Sequence, residues 1–173
     1  MTTKLLTLLL ILLLTQCDRC KEEVKPIAEI DKLPPATQSG KFTFGCLING
    51  KAFVQKNSGV MNAIYQRGFI QIASGQEIGE ISEGVSLVIN LPQVNTPYTL
   101  PNFAESRARY RKRYTSGPYC YYDYNNTQSG SILLTRLDRQ KFIVSGTFAF
   151  TTAVAGCDTI RITDGRFDMQ YIP

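Results

Sequence analysis

The chain has no histidine and no tryptophan. Without histidine there is no Ser-His-Asp or Cys-His couple, no His-ligated zinc, and none of the side chain that usually serves as a base near neutral pH. Any enzymatic reading must therefore rest on carboxylates, lysine, tyrosine or cysteine. No catalytic constellation, cofactor motif or metal-ligand cluster stands out, so the reading is non-catalytic, with no cofactor and no metal. Sustained helical periodicity is also missing. Long apolar runs are scarce: the one at Leu5–Leu14 would rise about 15 Å as a helix, roughly half a bilayer core, and so cannot span. Placed just after Lys4, it has the length of a signal-peptide core.

The apolar run leads directly into a short motif. Leu14-Thr15-Gln16-Cys17 resembles the lipobox of bacterial lipoproteins, although Gln16 stands where Gly, Ala or Ser is usual. The resemblance implies removal of residues 1–16, a lipid on Cys17, and attachment to the bacterial outer membrane, facing the periplasm or the surface. The alternative is an ordinary leader and a secreted soluble protein. Residues 17–40 are charged and proline-bearing with few apolar side chains, which is the composition of a flexible, solvated tether. Lys21-Glu22-Glu23 resembles the acidic surface-export signal of Bacteroidota lipoproteins. A single domain is expected over residues 41–173.

That domain is written in short alternating apolar runs. Phe42, Phe44, Cys46 and Ile48 recur at period two, Asn49-Gly50 is a type I′ hairpin signal, and Lys51 to Val54 returns. Ala63–Tyr65 and Phe69–Ala73 flank Gln66-Arg67-Gly68 as a second hairpin. Val85–Leu91 forms a further strand, and Pro97–Pro101 reads as a loop. Arg107–Tyr114, Tyr119–Tyr124, Ser131–Leu137, Lys141–Thr151 and Thr159–Tyr171 complete the series, with turns at Leu137–Gln140 and Ala155–Gly156. About nine or ten such strands predict an all-β fold, an antiparallel β-sandwich or a small β-barrel. Ser145-Gly-Thr-Phe148 and Asp164-Gly-Arg-Phe167 share a G-x-F pattern in which each glycine suits a bulge or a close strand crossing.

Leu33-Pro-Pro-Ala-Thr-Gln38, Phe44-Gly-Cys-Leu-Ile-Asn-Gly-Lys51, Ser145-Gly-Thr-Phe148 and Ile162-Thr-Asp-Gly-Arg-Phe-Asp168 resemble an uncharacterised family of Bacteroidota lipoproteins of unknown function. The resemblance implies the lipoprotein address and one β-rich domain, and no activity.

Three features could carry chemistry. Cys46 shares a strand face with two phenylalanines and an isoleucine, which suits a buried thiol. Cys120 and Cys157 lie beside turns in a chain bound for an oxidising compartment, and a disulfide between them is expected. Arg107-Ala-Arg-Tyr-Arg-Lys-Arg-Tyr114 would place Arg107, Arg109, Arg111 and Arg113 on one strand face about 7 Å apart. With Tyr110 and Tyr114 nearby, such a row could grip the phosphate or carboxylate of an envelope glycan or an acidic protein. It equally suits an exposed edge strand kept soluble by charge. Nucleic acid fits the charge but not the envelope address. Asp158, Asp164 and Asp168 form the third set. Asp164 and Asp168, four apart on a strand, would stand about 13 Å from each other, too far for a glycosidase pair. The functional expectation is a non-catalytic binding module. The competing readings are a calycin-like barrel around a small apolar ligand and, behind it, a carboxylate-based hydrolase.

Overall fold

The computed structural model describes residues 26–114, 116 and 120–173. The leader, Cys17, Cys20 and the first part of the tether fall outside them. Eleven strands run in chain order: β1 Thr43–Ile48, β2 Lys51–Gln55, β3 Met61–Gln66, β4 Phe69–Ile78, β5 Ile81–Asn90, β6 Pro97–Leu100, β7 Ser106–Tyr114, β8 Tyr121–Tyr122, β9 Thr127–Asp138, β10 Ile143–Thr152 and β11 Ile160–Gln170. They form two antiparallel sheets, a six-stranded one in the order β2-β1-β11-β10-β9-β6 and a five-stranded one in the order β3-β4-β5-β7-β8. The fold is an all-β sandwich. The sheets remain separate, so the barrel alternative falls, and with it the calycin-like interior.

Alternation explains most of this. Along β5, Val85, Leu87 and Ile89 are buried against the opposite sheet, as are Ile70 and Ile72 of β4. Phe44, Cys46, Ile132, Leu134, Ile162 and Met169 answer them from the six-stranded sheet. Burying each such side chain is worth about 1.5–3 kcal/mol, which supplies most of the drive to close the two layers. The hairpins obey their turn residues: Asn49 and Gly50 have φ of 48° and 80°, and Arg67 and Gly68 have 47° and 82°, the positive pair a type I′ turn requires.

The G-x-F pattern has a structural meaning. In the β10–β11 ladder Gly146 lies opposite Phe167, and Phe148 lies opposite Gly165. Each ring covers the facing glycine: a Cβ on Gly146 would come within 2.7 Å of the Phe167 ring, and one on Gly165 within 2.7 Å of the Phe148 ring. The two motifs are halves of one reciprocal pair.

Two expectations need correction. Pro97–Leu100, read as a loop from its prolines, is a strand paired with β9. A proline is tolerated there because β6 is an edge strand and Pro97 is its first residue. The second correction concerns the tether, whose described part is docked from Glu29 onward. Glu29 accepts a hydrogen bond from the backbone N–H of Ala52 at 2.8 Å, and Leu33 is buried. Pro34 packs on Gly45 so closely that a Cβ there would lie 2.5 Å from it. The strap ends on Asp168, which is 1% exposed. Its carboxylate accepts from the Thr37 hydroxyl at 2.6 Å, from the backbone N–H of Ser39, Gly40 and Lys41 at 2.9, 2.7 and 3.1 Å, and from the Ser145 hydroxyl at 2.7 Å. Burial pushes this carboxyl up, but the donors outweigh it and hold the group down at about 2. The strap therefore belongs to the folded domain, lying on the outer face of the six-stranded sheet.

The two layers are tied at both ends. Beyond β11, Ile172 pairs with β3 through Tyr65 N–H to Ile172 O at 2.8 Å and Ile172 N–H to Ala63 O at 2.9 Å. At the opposite end Cys120 and Cys157 are joined by a disulfide with Cα atoms 6.0 Å apart, beside a hydrogen bond from Tyr122 to the Asp158 carbonyl.

Candidate functional site

The outer face of the five-stranded sheet carries the arginine row. β7 alternates, with Ser106, Ala108 and Tyr110 buried toward the core and Arg111 and Arg113 exposed on the other side. β7 is not a bare edge: it pairs with β5 from Ser106 to Tyr114 and with β8 at Tyr110 and Arg111.

The four arginines divide into two pairs. Arg107 and Arg109 lie over the Tyr124 ring at 5.5 and 4.8 Å, and Arg109 stands 3.9 Å from Asp123. Tyr124 opens a short 3-10 turn, Tyr124–Asn126, which Asp123 and Asn126 close with a capping box. Arg109 is thereby held by a ring and a carboxylate, and Arg107 by the ring, its buried Nε having no hydrogen-bond partner among the described residues. Arg111 and Arg113 are exposed, and their side chains make no ion pair or hydrogen bond to the described residues.

Neither tyrosine of the expected site faces the row, which corrects that part of the reading. Tyr110 is 1% exposed, points into the core and donates its hydroxyl to Glu83. Burial, reinforced by that carboxylate, pushes its phenol far above the ordinary range. Tyr114 shares its strand face and sits beneath Lys112 Nζ, 5.3 Å from the ring centroid. The parity of the strand, two faces from one alternating string, separates Arg from Tyr.

Beside the arginines the sheet surface is bare. In register, Arg109 lies opposite Ser86, Arg111 opposite Gly84 and Arg113 opposite Ser82. The same rows continue on β4 with Ala73, Gly75 and Glu77, and Ala73 meets Asn62 of β3. The result is a trough two strands wide, about 10 Å, with a small-residue floor and a guanidinium wall. It comprises two adjoining clefts, of about 530 Å³ over Asn62, Gly75, Gly84 and Arg111 and about 550 Å³ over Glu77, Ser82, Arg111, Arg113 and Tyr121. Each lies within the size range of small-ligand sites. The strand geometry does not demand glycine at 75, since a Cβ there would meet only the Glu83 carbonyl, at 3.4 Å.

The floor was missed from sequence, although a signal existed: Ser82, Gly84 and Ser86 alternate with inward apolar residues, as do Ala73 and Gly75. The acidic set does not assemble. Asp168 is engaged by four donors of the strap and by Ser145 of β10, Asp164 sits exposed in a bulged stretch of β11 at φ 54°, and Asp158 is in the β10–β11 connection. Cys46 is fully buried and unpaired. Desolvation, with Glu83 adding to it, pushes its thiol well above the ordinary range.

An all-β sandwich with a surface trough defines the class of protein but not the family. Residues 48–169 match the model of a domain of unknown function, DUF6252, and the chain belongs to that family. Neither the curated proteins nor the solved structures compared with the chain give a match.

Proposed function

We propose that this chain is a lipoprotein of the bacterial outer membrane, anchored through Cys17, whose sandwich is a non-catalytic binding module for an anionic glycan of the envelope. The observation that carries the reading is the pair of guanidiniums, Arg111 and Arg113, without a partner among the described residues, beside a floor of Gly75, Ser82, Gly84 and Ser86. Free arginines offer bidentate, charge-assisted hydrogen bonds to carboxylate or phosphate oxygens. A floor without large side chains admits the face of a sugar ring. Glu77, across the trough from Arg113, can accept hydroxyl donors, which a polyhydroxylated ligand supplies in number. The described part of the strap lies on the other sheet.

A glycan array read with the intact protein tests the proposal. Binding to uronate- or phosphate-bearing glycans should fall about tenfold or more when Arg111→Ala and Arg113→Ala are combined, as expected when charged hydrogen bonds worth about 1.5–3 kcal/mol are lost. It should weaken with salt. Arg109→Ala, whose guanidinium is already held by Tyr124 and Asp123, should change it less. Equal binding by wild type and the double variant would remove the arginine row from the account.

A further inference from the structure

One end of the sandwich collects features that neither the core nor the trough uses. The β3–β4 turn, the loops leaving β5 and entering β7, and the β9–β10 turn are stitched together there. Leu91 N–H donates to Gly68 O at 2.7 Å and Asn90 N–H to Glu105 O at 2.7 Å. Tyr171 stacks between Tyr65 and Phe142, 5.8 Å from each. At this end Leu91 is 76% exposed, Phe103 48% and Phe142 42%.

Backbone strain gathers at the same place. Arg67, Leu91 and Phe142 all hold left-handed conformations, with φ of 47°, 46° and 54°. Arg67 and Phe142 serve hairpin turns and Leu91 does not, but bulky apolar residues such as Leu91 and Phe142 rarely adopt this region. Residues held in such conformations concentrate at functional sites. The charges between the tips are mainly positive: Arg67, Arg139 and Lys141 are exposed. Of the two acidic groups there, Asp138 is paired with Arg136 at 2.6 Å, which leaves Glu105 as the opposing charge.

We infer that this loop end is a bilayer-contacting tip, in which Leu91, Phe103 and Phe142 enter the interfacial layer of an anionic membrane while Arg67 and Lys141 meet its headgroups. Separate apolar points rimmed by basic side chains match a soft, negatively charged surface. The chain enters the fold at the opposite end, where Glu29 meets Ala52 at the start of β2, so this contact is independent of any lipid on Cys17 and of the arginine trough.

The absence of tryptophan makes a direct test possible in the full chain. Leu91→Trp and Phe103→Trp are made singly, with Ile78→Trp as the control, an apolar position of intermediate exposure between the two, on the hairpin at the other end. Each is titrated with vesicles of phosphatidylcholine, with and without phosphatidylglycerol. The proposal expects a blue shift and quenching by brominated lipid at positions 91 and 103 with anionic vesicles only, and no change at 78. Vesicle-bound protein with unshifted tryptophans at 91 and 103 would overturn it, as would equal shifts at all three positions or with neutral vesicles. A concentration-dependent shift without lipid would overturn it in favour of contact with a second copy.

Discussion

At the scale of single residues, a side chain that accepts five hydrogen bonds is one the sequence presented as a candidate for chemistry. Asp168 stands in a strand next to a glycine-containing motif, and nothing local indicates that the Thr37 hydroxyl and the Ser39–Lys41 backbone will wrap it with donors. Its strap partners are more than a hundred positions away, beyond the reach of any spacing argument. Because its carboxyl sits at about 2 rather than the ordinary 3.8, the stability it contributes is present above pH of about 4 and is lost as pH falls toward about 2. Asp168→Asn should lower stability by about 2–4 kcal/mol near neutrality and flatten its dependence on pH across that window. Urea unfolding of both proteins at a series of pH values checks this. Parallel curves would show that the charge does not hold the strap. Cys46, by contrast, was readable: two phenylalanines and an isoleucine on its strand face announced a buried position, and the thiol is fully enclosed.

At the scale of elements, period-two alternation was enough to find most strands, and the Asn49-Gly50 and Arg67-Gly68 turns fixed two hairpins. Alternation failed where the chain is proline-rich or polar. β6 holds its place through pairing with β9 at a sheet edge, and Leu33-Pro34 docks because Gly45 leaves room. Both depend on a partner surface rather than on their own composition. The reciprocal Gly146–Phe167 and Phe148–Gly165 pairs show the opposite case. Their shared pattern was visible, but only the register reveals that each motif completes the other. The arginine row was half legible for the same reason: the strand's parity was evident, but the commitment of Arg107 and Arg109 to Tyr124 was not.

At the scale of the whole molecule, one sheet's outer face carries the strap, while on the other the described residues cover Arg107 and Arg109 and leave the stretch from Gly75 to Arg111 and Arg113 uncovered, which gives the domain a bound side and an open side. The anchoring at Cys17 is argued from Leu5–Leu14 and the tetrad ending at Cys17. Labelling cells expressing the full chain with radioactive palmitate should mark the wild type and Cys20→Ala, and leave Cys17→Ala unlabelled; label retained in Cys17→Ala would refute the lipobox reading despite the resemblance. The open side is where ligand binding is placed, and its floor offers the most direct test. Gly75→Thr adds a side chain over the trough at a position with space for a Cβ and suits a strand better than glycine by up to about 1 kcal/mol. The account predicts an unchanged or raised melting temperature together with a loss of anionic-glycan binding of at least about tenfold, since steric exclusion worth about 1.4 kcal/mol suffices for that. A folded Gly75→Thr protein that binds anionic glycan as the wild type does would contradict it.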